Sequence, residues 1–301
     1  MPALSREAKQ GKTRNVVDYE GKSWLRVLFK LNGSVLPSLL PRIATAAAVG
    51  GLARYLHTAH RVHLPNSIHT LLGVALGLLL VFRTNASYDR WWEGRRLLGS
   101  IVNRTRDLVR QGAVYFDDAD ARRALERLVV VWFSLLRQYL RGERDLAVLG
   151  VPLEEHERAI LEPVRVRPNI ALRWMTELVA AQAARGTLSE QRVQLMDGNL
   201  TALFDYAGGC ERIVRTPIPF AYAQHIKAFV ALFVFTVPFA FVDAMGALTP
   251  LASAVVAYGL FGIEEIGVEI EDPFGTDPND LPLERIGGVI ATDVHTLVDP
   301  K

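Results

Sequence analysis

The chain has 301 residues, half of them hydrophobic and 22% charged, with a formal net charge of +2. That balance gives no support for nucleic-acid binding, and no basic stretch is interleaved with base-stacking aromatics. A single cysteine, Cys210, excludes an intramolecular disulfide framework.

The mean hydropathy of +0.16 is high for so charged a chain. It follows from segregation: apolar residues gather in four runs, and the charges lie elsewhere. The first 22 residues are polar and basic, without the apolar core or small-residue cleavage site of a secretory signal. Insertion into a membrane would have to be directed by an internal helix.

The first apolar run, Val35–Leu56, is broken by Arg42 and bounded by Arg54. His57, His60 and His63 follow in a short connection. Their spacing suits one helix face, but no Cys or carboxylate sits nearby in the sequence, so a metal site there is disfavoured. The second run, Ile68–Phe82, carries Gly73 and Gly77 four apart, a spacing that lets helices approach closely in lipid. Copies of this helix ringed about an axis would present one stripe to the centre. Helical spacing selects Ser67, Leu71 and Ala75, or the neighbouring stripe Ile68, Leu72 and Leu76. Neither stripe can coordinate an ion, so a constriction built from either would gate by excluding water.

The run passes directly into FRTNASYDRWWEGRRLLG, Phe82–Gly99. Tyr and Trp suit a membrane–water boundary, and Arg offers a planar fork to carboxylates such as Asp89 and Glu93. Arg83, Asn85, Tyr88, Arg90, Trp91, Trp92 and Glu93 are therefore read as structural support or a subunit interface.

The stretch from about Tyr88 to Ala221 reads as helical. Leu125, Leu128, Val129, Trp132, Leu135, Leu136 and Leu140 recur at the helical period. Gly142, Gly150 and Pro152 punctuate it, Pro163–Asn169 is expected to be a loop, and Gly186–Thr187 a break. In GGCERIVRTPIPFAY, Gly208–Tyr222, the two glycines are expected to break a helix. Pro217 and Pro219 set an extended approach to the third run, Ala228–Val242. The fourth run, Leu248–Ile263, meets Glu264 and Glu265. Beyond it, EDPFGTDPND should form an acidic loop, followed by a short helix or an extended tail. Asp272, Asp277 and Asp280 there offer oxygens to a hard cation such as Ca²⁺, though not at EF-hand spacing.

Each run falls short of about 20 uninterrupted apolar residues. Charge placement still favours membrane spans. The connections between runs one and two and between runs three and four hold Arg61 alone among Lys and Arg. Arg83, Arg90, Arg95 and Arg96 flank the second run on its far side. Four spans with both termini and the middle region inside satisfy the positive-inside tendency. Signatures of hydrolases, zinc proteases, P-loops and dinucleotide folds are missing, so no enzyme activity is expected.

FRTNASYDRWWEGRRLLG, GGCERIVRTPIPFAY and EDPFGTDPND, in that order, resemble the bacterial branch of the bestrophin family. The resemblance implies an all-α subunit with four transmembrane helices (about 35–88 and 225–265) and a helical cytosolic part (about 89–222 plus both termini). It also implies one channel domain over 1–301, and a homopentamer in the bacterial inner membrane that passes inorganic ions passively. The neck would fall on Ser67, Leu71 and Ala75, and a second constriction at Gln191 and Leu195. A Ca²⁺ clasp would fall on Asp272–Asp280, where Thr276, Pro278 and Asn279 dilute the acids; otherwise no cofactor is implied. The sign of the ion stays open, because an apolar neck does not choose it. The alternatives are a non-conducting membrane scaffold or sensor, and a soluble helical protein.

Overall fold

The computed structural model describes residues 23–300, and the basic segment at the start of the chain lies outside them. Ten α-helices and no strands are found among the described residues. They are α1 (Trp24–Leu28), α2 (Leu36–His60), α3 (Asn66–Tyr115), α4 (Ala119–Leu140), α5 (Glu155–Leu161), α6 (Arg167–Ala184), α7 (Glu190–Arg215), α8 (Phe220–Met245), α9 (Thr249–Glu269) and α10 (Leu283–Val298).

Stretches 36–60, 66–115 and 220–269 are long and apolar enough to cross a membrane. A turn at Gly246–Leu248 divides the last into α8 and α9. Lys227 near the start of α8 pairs with Glu264 near the end of α9 at 2.7 Å, so the two helices run antiparallel. With α2 and the first part of α3 they form a four-helix bundle around Leu39, Ala46, Leu76, Leu80, Ile226, Val230, Val234, Ala257 and Phe261.

The charges that shorten the apolar runs meet one another at one end of this bundle. Arg42 pairs with Glu265 at 2.6 Å, Lys227 with Glu264, and Arg83 with Glu271 at 2.6 Å. Hydroxyls inside the runs bond back one turn, as in Ser253 Oγ to the Thr249 carbonyl and Thr236 Oγ1 to the Leu232 carbonyl. Such bonds leave little polar surface to lipid. Close approach of α2 and α9 depends on Gly50, where a Cβ would stand 2.9 Å from Pro250 Cα. The Gly73/Gly77 pair plays no such part within the subunit: Gly73 only touches Phe233, and nothing approaches Gly77.

The second half of α3 leaves the bundle and joins a separate helical body. At about 1.5 Å per residue a 50-residue helix is about 75 Å long, against roughly 30 Å of hydrocarbon. The body's core contains Leu98, Ile101, Leu108, Leu125, Val129, Trp132, Leu136, Met175 and Leu203. Asp118 starts α4 by accepting from the Asp120 N–H, and Ser189 starts α7 by accepting from Arg192.

Three local expectations are corrected. Gly208–Gly209 does not break a helix. α7 runs through it, because a Cβ on Gly209 would come 2.9 Å from the Leu97 side chain, and the glycine lets α3 and α7 pack closely. The loop expected to reach Asn169 stops at Val166, since Pro168 sits in the first turn of α6, where its missing N–H costs nothing. The C-terminal segment holds a 16-residue helix, α10, with Leu283, Ile290 and Val294 buried against the body.

Candidate functional site: the outward face of the long helix

One side of α3 is used by the subunit itself. His69, Leu76, Leu80, Arg83 and Ser87 are buried, and at about 100° per residue they share one face. The opposite face is apolar and uncovered through Leu71 (75% exposed), Val74 (72%), Leu78 (56%) and Phe82 (56%). Ser67 and Ala75 are exposed on this side as well. The alternative stripe is corrected here: Ile68 is exposed, but Leu72 is half-buried and Leu76 is fully buried in the bundle core, so the three share no outer surface.

Beyond Phe82 the same helix becomes polar. Asn85, Tyr88 and Trp92 remain exposed, with Tyr88 stacked on Trp91 and Trp92 at 6.2 and 6.3 Å between ring centres. Arg83, Arg90, Trp91 and Glu93 instead hold the subunit together. Arg83 Nη2 donates to Glu271 Oε2, and Glu271 Oε1 accepts from the Ile218 N–H at 3.1 Å. Arg90 donates to the carbonyls of Ile213 (2.7 Å), Thr216 (2.6 Å) and Glu271 (3.0 Å). It thereby satisfies the open carbonyl end of α7. Trp91 Nε1 donates to the Asn279 carbonyl at 3.2 Å, and Glu93 accepts from Arg212 at 2.6 Å. The expected pairing of these arginines with Asp89 and Glu93 is thus replaced by contacts to remote segments.

α7 runs antiparallel to the lower half of α3, with Arg104 donating to Asn199 Oδ1 at 3.2 Å. Gln191 and Leu195 lie one turn apart and exposed at the start of α7, where Arg192 sits over the Tyr115 ring. Cys210 is buried between these helices, and burial pushes its thiol up to about 12, as an inert apolar filler requires.

The acidic loop packs on the same junction. Asp280 is buried and accepts from the Asp277 N–H at 2.6 Å, while Asp272 Oδ1 accepts from the Phe274 N–H at 3.4 Å. Burial first, and then the neighbouring Asp277, Asp272 and Glu269, push the Asp280 carboxyl up to about 7. Asp272 and Asp280 each turn one oxygen onto the loop's own backbone, and the second Asp280 oxygen is buried without a hydrogen-bond partner. The carboxylates of Asp272, Asp277 and Asp280 are not among the three-ligand convergences found in the described residues. The convergence found there is His57, His63 and Asp243, a carboxylate far from the histidines in sequence that the fold brings beside them.

An apolar four-helix bundle joined by one long helix to a water-facing body defines a helical membrane protein. The chain belongs to the bestrophin family: a profile described as bacterial/fungal bestrophin protein matches residues 16–296. It is 37% identical over 286 residues to a voltage-dependent anion channel-forming protein of Nostoc sp., with 92% of each chain covered. It is 33% identical over 281 residues to the voltage-dependent anion channel-forming protein YneE of Escherichia coli K12, again with 92% of each covered. A solved bestrophin homologue from Klebsiella pneumoniae superposes with a TM-score of 0.81 at 30% identity, over 87% of this chain and 98% of that one.

Proposed function

We propose that the chain is the subunit of a passive ion channel, with copies arranged around an axis lined by the outward face of α3. The observation that carries this reading is the unpartnered stripe opposite the subunit core. It is apolar from Leu71 to Phe82 and then polar at Asn85 without any break in the helix. A helix wholly in lipid has no use for the polar continuation, and one wholly in water has no use for the apolar part. A pore that opens into a cytosolic vestibule uses both.

Within that face the expected neck, Ser67, Leu71 and Ala75, includes two small side chains. The next stripe at the same spacing, Val74, Leu78 and Phe82, is bulky throughout and ends one residue before Arg83. We place the narrowest part there, with Leu71 and Ser67 forming its outer approach. Gln191 and Leu195 form a second constriction at the far end of the body, near Tyr115 and about 50 Å along α3 from Phe82.

The assembly is a homopentamer in the bacterial inner membrane. Four spans, both termini and the helical body on the cytoplasmic side satisfy the positive-inside tendency. The neck excludes water rather than coordinating ions, so the sign of the permeant ion is set by charges outside it. The relatives of Nostoc and Escherichia coli bear names of anion channels, and chloride is the first ion to test.

The test is purified protein in planar bilayers under asymmetric salt. Unitary currents with a defined reversal potential are expected, and Leu78→Ala should raise the conductance. A folded, oligomeric protein that carries no current under any ion gradient would overturn the reading and leave a scaffold or sensor.

A further inference from the structure

At the bundle end away from the body, α2 stops in a way that folds the chain back over its own last turn. Arg61 takes a left-handed conformation (φ 58°). Its N–H donates to the His57 carbonyl at 2.9 Å, and the Val62 N–H reaches the Leu56 carbonyl at 3.5 Å. This reversal carries His63 back to His57, edge to face, with 6.3 Å between ring centres. The Leu64 N–H then donates to the Phe239 carbonyl at 2.9 Å and pins the connection to α8. Asp243, in the last turn of α8, arrives on the other side, with Oδ1 3.1 Å from His57 Nε2.

The hydrogen bonds decide which nitrogens are free. His57 Nδ1 lies 3.3 Å from the Val62 carbonyl and His63 Nδ1 lies 3.1 Å from the Arg61 carbonyl. A carbonyl oxygen only accepts, so each Nδ1 carries a proton, and in the neutral ring each Nε2 keeps its lone pair. Main-chain carbonyls that orient imidazoles in this way are the usual outer support of histidine metal ligands. The His57 lone pair then faces a carboxylate at 3.1 Å, an arrangement that needs a positive centre between the two. A proton on His57 would satisfy that pair alone. It gives no reason for a third donor, yet a nitrogen from each histidine and an oxygen of Asp243 lie within 4.8 Å of one another.

We propose that His57, His63 and Asp243 form a binding site for a borderline divalent transition metal, with Zn²⁺ as the fitting cation. Two imidazoles, one carboxylate and a water make a tetrahedral set of the kind Zn²⁺ takes. Bonds of about 2.0–2.1 Å place tetrahedral donors about 3.3 Å apart. The His57–Asp243 pair stands near that spacing, and a nitrogen of exposed His63 lies within 4.8 Å of both. His57 is mostly covered while Asp243 is exposed, so one side of the site is anchored and the other is open to an arriving ion. The metal ties the α2–α3 connection to the end of α8, three residues ahead of the pore helix.

The site is tested by titrating ZnCl₂ into the purified full-length protein in detergent, after EDTA treatment and its removal, with calorimetric and thermal-unfolding readouts. One Zn²⁺ per subunit should bind saturably and raise the Tm. His63→Ala, an exposed loop change that leaves the bundle core untouched, and Asp243→Asn should each weaken binding at least about tenfold and remove the Tm rise. His60→Ala, outside the cluster, should bind as wild type does, and MgCl₂ should not displace Zn²⁺. Affinity unchanged in both His63→Ala and Asp243→Asn, or fewer than one saturable site per subunit, would overturn the proposal. Binding in detergent needs no conduction, so this outcome is separate from that of the bilayer experiment.

Discussion

The two halves of α3 obey opposite rules on one continuous helix. From Asn66 to Phe82 the exposed side chains include Ile68, Leu71, Val74, Leu78, Val81 and Phe82, and the covered ones include His69. From Leu98 to Gly112 the buried positions are chiefly Leu98, Ile101, Leu108 and Val109, and the exposed side carries arginines such as Arg104, Arg106 and Arg110. In water the apolar face turns inward, since exposing it carries a free-energy cost. In lipid that cost vanishes, and the polar group is the one that must be hidden and paired, as His69 is with Thr236 at 3.0 Å. The bundle is accordingly held by a small core plus ion pairs at its ends, and the body by a large apolar core.

If that contrast is right, the largest loss comes from the body's core. Trp132 is fully buried, and Trp132→Ala should cost about 3–5 kcal/mol, seen as a lower urea midpoint for the body. An exposed aromatic truncation in the bundle, such as Phe82→Ala, should leave that midpoint unmoved. The junction comes next. Arg83→Ala strands Glu271 and frees the Ile218 turn, and about 3 kcal/mol should be lost. Arg83→Lys keeps the charge but not the reach and direction of the single Nη2 bond, and should recover only part of the stability; full recovery would show that the charge alone matters.

Within the membrane half, the two sides of α3 should separate in bilayer recordings. On the proposed channel arrangement, Leu78→Ala and Leu71→Ala should widen the lumen and raise unitary conductance, whereas Leu72→Ala, half-buried in the subunit, should change it little. Equal effects at all three positions would break the assignment of faces.

The smallest effect expected is at Asp280. Its folded carboxyl titrates near 7, above the ordinary carboxylate value of 3.8. Its contribution to stability is thus complete below about pH 4 and lost as pH rises through about 7. Asp280→Asn should flatten that part of the stability–pH curve and raise the Tm by about 2–4 °C at pH 8. An unchanged profile would mean that the loop rearranges around the charge.

Helix content, the four apolar runs and the amphipathic body were legible in the chain because periodicity and segregation are local properties. The junction motifs were legible as words but not as contacts. Arg83 and Arg90 read as support or interface from their types alone, but their partners in the subunit, Glu271 and the carbonyls ending α7, lie more than a hundred residues away. Gly209 reads as a breaker until Leu97 is seen against it. The outer register of α3 was also hidden. Stripes one residue apart are equally apolar, and only packing against α8 and α9 buries Leu76 and leaves Leu71 out.

Composition and spacing by themselves determined that this chain is helical, that part of it tolerates lipid, and that no catalytic motif is present. The tertiary fold alone decided which face of α3 is left without a partner, and that His57, His63 and Asp243 share one corner. The reason is physical. A helix's period is written in adjacent residues, whereas the side it hides, and the distant carboxylate it meets, depend on which other helix arrives.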